Sequence, residues 1–143
     1  MRPSRDEIYM QDALNHSRRG TCSRRQCGCV LINNRGHVLS IGYNGNPSGL
    51  PHCIDTPCLA SKAPSGTALD ECLAVHAEMN ALLQCPNIYD IDTAYCTSAP
   101  CTLCIRLLIN TSCTRIVYLN DYPHPISQKL WEQCGRRWEK YAP

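Results

Sequence analysis

The residue types in His76-Ala77-Glu78 and in Pro100-Cys101-Thr102-Leu103-Cys104 are those of a metal site with a proton carrier beside it. Two cysteines three positions apart at a helix start lie on one face, about 300° around the axis, so both sulfurs reach one ion. The positive end of the helix dipole favours the thiolate, which is the form that ligates. An imidazole from a preceding helix, His76, supplies a third donor. Three protein ligands leave tetrahedral zinc one open position, the arrangement of a catalytic centre rather than a structural one. Glu78 stands two residues after His76, about 200° away on a regular helix. The two act together only if they occupy the helix's N-terminal turn and the metal approaches the helix end. Glu78 then reaches a metal-bound water, whose pKa zinc lowers toward about 7, and carries its proton to the substrate.

Elements able to hold these residues are legible along the chain. Ile8, Met10, Ala13 and Leu14 recur at helical spacing between Arg5 and Arg18. Cys27 to Ile32 and His37 to Tyr43 read as strands, and Asn33 to Gly36 is the turn of an antiparallel hairpin. The stretch from Asn44 to Asp70 has no period and is a long loop, of the length that is functional or tied by metal. Leu73, Val75, Met79, Leu82 and Leu83 predict a second helix ending before Pro86. Thr93 to Thr97 is a strand, Pro100 suits a helix start, and Cys101 to Asn110 is an apolar helix. Arg115 to Leu119 is a strand and Ile126 to Cys134 a last helix. Alternation in the second half predicts parallel crossovers, hence a mixed sheet between helices. With no repeat and no linker, residues 1–143 read as one domain.

Composition narrows the class. A chain of 143 residues buries roughly 68% of its unfolded surface, enough for a core without staples. The 43% hydrophobic and 18% charged fractions exclude intrinsic disorder. Net charge of +2, with no basic runs interleaved with aromatics, argues against a nucleic acid polymer as partner. No run is long enough to cross a bilayer, and the opening residues lack a signal peptide's apolar core, so the expectation is a soluble, cytoplasmic protein. The 12 cysteines therefore meet reducing conditions and divide between core and metal. Cys27, Cys29 and Cys96 sit in apolar stretches as small hydrophobes. Cys85, Cys113 and Cys134 show no ligand spacing and read as buried thiols. His16, His37 and His124 read as surface or satisfied histidines.

The joint pattern H-x-E…P-C-x-x-C is the signature of zinc nucleobase deaminases. Over nearly the whole chain, CSRRQCGCVLI, GYNGNPSGLPHC, CLAVHAEMNAL and YCTSAPCTLC resemble deoxycytidylate (dCMP) deaminases of the bacterial and phage kind. Cys27 and Cys29 stand where that family has Val and Ala. The resemblance implies a cytidine deaminase-like fold, three α/β/α layers around a mixed sheet of about five strands. It implies hydrolysis of dCMP to dUMP and ammonia, with His76, Cys101 and Cys104 on catalytic Zn2+ and Glu78 as proton shuttle. It further implies that the Ala77 N–H meets the pyrimidine carbonyl, that the backbone of Ala99 accepts from the exocyclic amine, and that Asn44 contacts the sugar. Asn44-Gly45 also has the plain reading of a tight turn.

A mononucleotide carries a phosphate, and Arg24 or Arg25 could pair with it bidentately. The alternative is that Arg18, Arg19, Arg24 and Arg25 form a solvated basic surface or a subunit contact. Tyr118, or Tyr122 just beyond it, either covers the base or a neighbouring subunit or packs the rim. Cys22, Cys53, Cys58 and Cys72, with His52 as substitute ligand, match cysteines of the similar bacterial proteins and suggest a second, structural Zn2+ tying the long loop; free thiols are the other reading. By resemblance alone, dCTP activates and dTTP inhibits with Mg2+, and the chain forms a homohexamer. Two other functions stay open: a deaminase of another cytosine nucleotide or nucleoside (dCTP, cytidine), or a silent zinc-binding interaction module.

Overall fold

The first helix begins where a cap exists for it. The Ser4 hydroxyl accepts the Glu7 N–H at 3.1 Å, with Asp6 and Glu7 in the first turn, and α1 (Arg5–Ser17) follows. The computed structural model describes residues 1–57, 62, 64, 73–123 and 125–143. Next comes the expected hairpin of β1 (Gly28–Ile32) and β2 (Val38–Tyr43). Its turn is fixed by Asn33, whose Oδ1 accepts the N–H groups of Arg35 and His37, and by Gly36 at φ 82°.

The second half alternates α2 (Ala77–Gln84), β3 (Thr93–Ser98), α3 (Thr102–Ile109), β4 (Arg115–Asn120), α4 (Pro125–Gln133) and β5 (Arg137–Lys140). The sheet runs β2-β1-β3-β4-β5, antiparallel from β2 to β3 and parallel from β3 to β5. This mixed five-stranded sheet with helices on both faces is the expected α/β architecture. Side-chain alternation divides the core. Cys29, Leu31, Ala94, Cys96, Ile116 and Tyr118 face Ala77, Ala81, Ile105, Leu108 and Trp131 of α2, α3 and α4. Val30, Ile32, Tyr95 and Val117 face Met10 and Ala13 of α1. Each large apolar side chain buried this way contributes roughly 1.5–3 kcal/mol. Because α3 and α4 lie on one face, both crossovers deliver their helix N-termini to the same edge, at the carboxyl ends of β3 and β4.

Several elements differ from expectation. The second helix starts at Ala77, not Leu73: Leu73 is exposed, and Val75 exchanges backbone hydrogen bonds with Gly45 at 3.1 and 2.7 Å. β5 was not anticipated, since Arg-Trp-Glu-Lys is short and mostly charged; pairing to β4 creates it, and the Trp131 indole donating to the Arg137 carbonyl at 2.8 Å anchors it. Cys134 is exposed and Cys85 half-buried, whereas Cys113 is fully buried as expected. Cys29 and Cys96 are core, but Cys27 is half-buried and lines the cleft described below. Cys58, Cys72 and His124 lie outside the described residues. Among the described residues no helix is long and apolar enough to cross a membrane.

Two close approaches set the position of α2 and α3. A Cβ on Gly42 would come within 2.3 Å of the Ala77 carbonyl oxygen and 2.4 Å of the Ala81 nitrogen, so only glycine lets α2 settle against β2. At the far end of α3, Arg136 donates to the carbonyls of Leu108, Ile109, Thr111 and Cys113 at 2.7–3.2 Å, tying the helix end to the turn that follows it.

Candidate active site

Two helix N-termini meet here. His76 is the N-cap of α2 and Cys101 the N-cap of α3, with Cys104 one turn on. The His76 side chain makes no cap hydrogen bond to α2. The two cap side chains turn toward each other: His76 Nδ1 lies 3.4 Å from Cys101 Sγ and 3.3 Å from Cys104 Sγ. The ligand atoms of His76, Cys101 and Cys104 all lie within 4.8 Å of one another, the one such grouping among the described residues. Zn–S of about 2.3 Å and Zn–N of about 2.0–2.1 Å at a tetrahedral angle put N and S about 3.6 Å apart, close to the separations found. The donor set thus fits Zn2+.

Electrostatics agree with that reading. Hydrogen bonds from Cys104 and from His76 pull the Cys101 thiol down to about 4, against burial. The Cys104 thiol is held well above its ordinary value by its bond to Cys101, by burial and by Glu78. A divalent cation held between the two sulfurs would displace their thiol protons. The hydrogen bond to Cys101 also raises His76.

Glu78 occupies the first turn of α2, buried, with its carboxyl against the Cys104 thiol. The N-terminal-turn arrangement demanded by the two-residue spacing is the one observed. Burial, aided by the charge on Cys101, raises the Glu78 carboxyl above the usual glutamate range, which suits a group that must both take and give a proton near neutral pH.

A cleft opens over these groups, lined by Arg24, Arg25, Cys27, Asn44, His76, Ala77, Glu78, Ser98, Ala99, Cys101 and Tyr122 among others. All five residues expected to touch substrate border it. Ala77 is the first residue of α2, where the backbone N–H has no acceptor within the helix. Ala99 stands between β3 and Pro100, its N–H held by the Asn120 carbonyl at 2.8 Å. Asn44 is buried, and its amide clasps the chain before β1: Oδ1 accepts the Cys27 N–H at 2.8 Å and Nδ2 donates to the Arg25 carbonyl at 2.9 Å. That leaves one amide hydrogen and one lone pair of Asn44 beyond those two bonds.

The four arginines do not form one patch. Arg24 and Arg25 line this cleft, while Arg18 and Arg19 line a second one with His16 and His52. Arg24 donates to the Pro64 carbonyl at 3.3 Å. Arg25 donates to Ser98 Oγ at 2.6 Å, with its guanidinium 4.4 Å from the centre of the Tyr122 ring. Ser98 escaped the sequence reading because a lone serine at a strand end carries no spacing signal. Tyr118 instead packs on Trp138, ring centres 5.1 Å apart. Of the four residues suggested for a second metal, Cys22 and Cys53 are described. Both are buried, on segments joined by Ile54 N–H to the Thr21 carbonyl at 3.0 Å, and Cys53 Sγ lies 3.3 Å from Ser23 Oγ.

A mixed α/β sheet carrying a His/Cys/Cys donor set with a buried carboxylate beside it defines a candidate zinc centre. The chain belongs to the cytidine and deoxycytidylate deaminase family, whose zinc-binding region matches residues 3–120. It is 37% identical over 123 residues to the deoxycytidylate deaminase of Mycobacterium phage D29, covering 82% of this chain and 95% of that one. It is 34% identical over 124 residues to the deoxycytidylate deaminase of Saccharomyces cerevisiae, covering 85% of this chain and 39% of the relative. The chain thus spans less than half the length of the fungal relatives it matches. The crystal structure of the dCMP deaminase from cyanophage S-TIM5 in complex with dCMP and dUMP superposes with a TM-score of 0.77 at 27% identity, covering 99% of both chains.

Proposed function

We propose that this protein hydrolyses dCMP to dUMP and ammonia, with His76, Cys101 and Cys104 holding zinc and Glu78 moving the protons. The observation that carries the reading is the meeting of His76 Nδ1 with both sulfurs beside the buried Glu78 carboxyl. Zinc held there would supply Lewis acidity that brings a water's pKa toward about 7. Glu78 accepts the water's proton, passes it to the ring nitrogen, and hands a second to the departing amine. The Ala77 N–H meets the pyrimidine carbonyl and the Ala99 carbonyl accepts from the amine, which fixes the base so that its C4 faces the nucleophile. Asn44 contacts the sugar, and the arginines at the cleft answer the phosphate's charge. The one-domain reading of residues 1–143 and a cytoplasmic location go with this proposal.

A second zinc on Cys22 and Cys53 with Cys58 and Cys72, or with His52 in place of Cys58, is supported by the burial of the first two on hydrogen-bonded segments. Regulation by dCTP and by dTTP with Mg2+, and assembly as a homohexamer, follow from the resemblance. A second cleft, of about 910 Å³, offers the Arg18 and Arg19 guanidinium groups to such anionic effectors, with His16 and His52 also in its lining. Asn44 borders the first cleft and its neighbours Tyr43 and Gly45 the second, so one short segment touches both.

The test is to offer dCMP, CMP, dCTP and deoxycytidine to the purified protein and follow ammonia release. The proposal expects the highest kcat/KM with dCMP; equal kcat/KM for deoxycytidine removes the phosphate-reading role, and no release from any of the four removes the enzyme.

A further inference from the structure

We infer that Ser98 is a positioning residue for substrate selection: it pins the Arg25 guanidinium at the cleft so that Arg25, rather than Arg24, reads the phosphate of the nucleotide. The inference rests on the dCMP reading above and goes further by choosing between the two arginines and naming what aims the chosen one.

Three segments converge to do this. Arg25 lies on the chain just before β1, Ser98 ends β3, and Tyr122 stands two residues beyond β4. Arg25 Nη2 donates to Ser98 Oγ at 2.6 Å, a short charge-assisted bond, and the Tyr122 ring lies against the guanidinium at 4.4 Å. The same Ser98 oxygen faces the Cys27 thiol at 3.7 Å. Below, the Asn44 amide holds the Arg25 carbonyl, so backbone and side chain of this arginine are both fixed. A bond at one corner and a ring on one face set the plane of a rigid fork, the requirement for bidentate phosphate recognition. Ser98 is itself anchored: β3 pairs with β4 through Ser98 and Asn120, and the next residue's N–H bonds the Asn120 carbonyl. Ser98 stands three residues before Cys101, so the element that sets one metal donor also sets the arginine. By contrast, Arg24 donates to Pro64, a carbonyl of the long loop. An arginine aimed in advance by a strand end spends less rotamer entropy on binding an anion than one directed by a loop.

Ser98→Ala and Ser98→Thr, each checked for zinc content, test this by steady-state kinetics on dCMP and by calorimetric binding of dUMP and deoxyuridine. Ser98→Ala should raise KM for dCMP and Kd for dUMP on the order of tenfold, with kcat changing far less and deoxyuridine binding unmoved. Ser98→Thr, which keeps the hydroxyl, should restore both values. Wild-type KM in Ser98→Ala, or equal weakening of dUMP and deoxyuridine, overturns the positioning role while leaving deamination intact. A wild-type protein that neither turns over dCMP nor prefers dUMP to deoxyuridine overturns the functional reading and this one together.

Discussion

At the scale of single residues, identity and spacing state the chemistry while distant juxtapositions stay hidden. His76, Glu78, Cys101 and Cys104 were legible because zinc chemistry restricts donor types and because two cysteines three apart at a helix start have one geometry. Arg25 and Ser98, 73 positions apart, were not, since nothing local in either segment points to the other. Cys27 misled for a related reason: its apolar neighbours are those of a core strand, yet it lies just ahead of β1 where the cleft opens. The sulfurs yield a prediction of their own. With Cys101 near 4 and Cys113 pushed up to about 12, protein stripped by a chelator should alkylate with iodoacetamide at Cys101 long before Cys113 at pH 7. Saturating zinc should abolish the Cys101 modification, as peptide mass spectrometry would record. Equal labelling with and without zinc would separate Cys101 from the metal.

At the scale of elements, periodicity predicted seven of the nine correctly in type and near position, and the exceptions share a cause. The apolar period of Leu73, Val75 and Met79 ran on through residues whose backbone bonds to Gly45 instead, so α2 starts later. β5 has almost no pattern and exists through its neighbours. Those neighbours include an ionic cluster that ties α1 to the sheet. Arg115 donates to both Asp6 oxygens at 3.0 and 2.8 Å and to both Glu139 oxygens at 3.0 Å, while the Tyr95 hydroxyl donates to Asp6 at 2.6 Å. The Arg115 bond holds the Asp6 carboxyl below its ordinary value, outweighing burial. A depressed carboxylate stabilises the fold above its unfolded pKa of about 3.9, and that contribution fades as pH falls through the lower folded value. Asp6→Asn should therefore cost about 1 kcal/mol at pH 7, a figure kept small because the pair is partly solvated. The difference from wild type in urea unfolding should shrink below about pH 4. A gap that widened in acid would contradict the assignment.

At the scale of the whole molecule, the sheet order explains why one edge carries the chemistry. Parallel crossovers bring α3 to the carboxyl end of β3, and Gly42 lets α2 settle with His76 and Glu78 facing it. Fold class was readable from the alternation of strands and helices; how the long loop closes was not, because it has turn residues and cysteines but no period. If a second zinc ties that loop, metal analysis should give two zinc ions per chain, falling to one in Cys53→Ser with a lower melting temperature. One ion in both proteins would remove the second site. The central claim is narrower and is tested by Glu78→Gln, which keeps the shape of the side chain and removes its proton traffic. Zinc content should stay at the wild-type value while ammonia release from dCMP falls at least about a hundredfold. Undiminished turnover in that variant, at full zinc occupancy, would contradict the account.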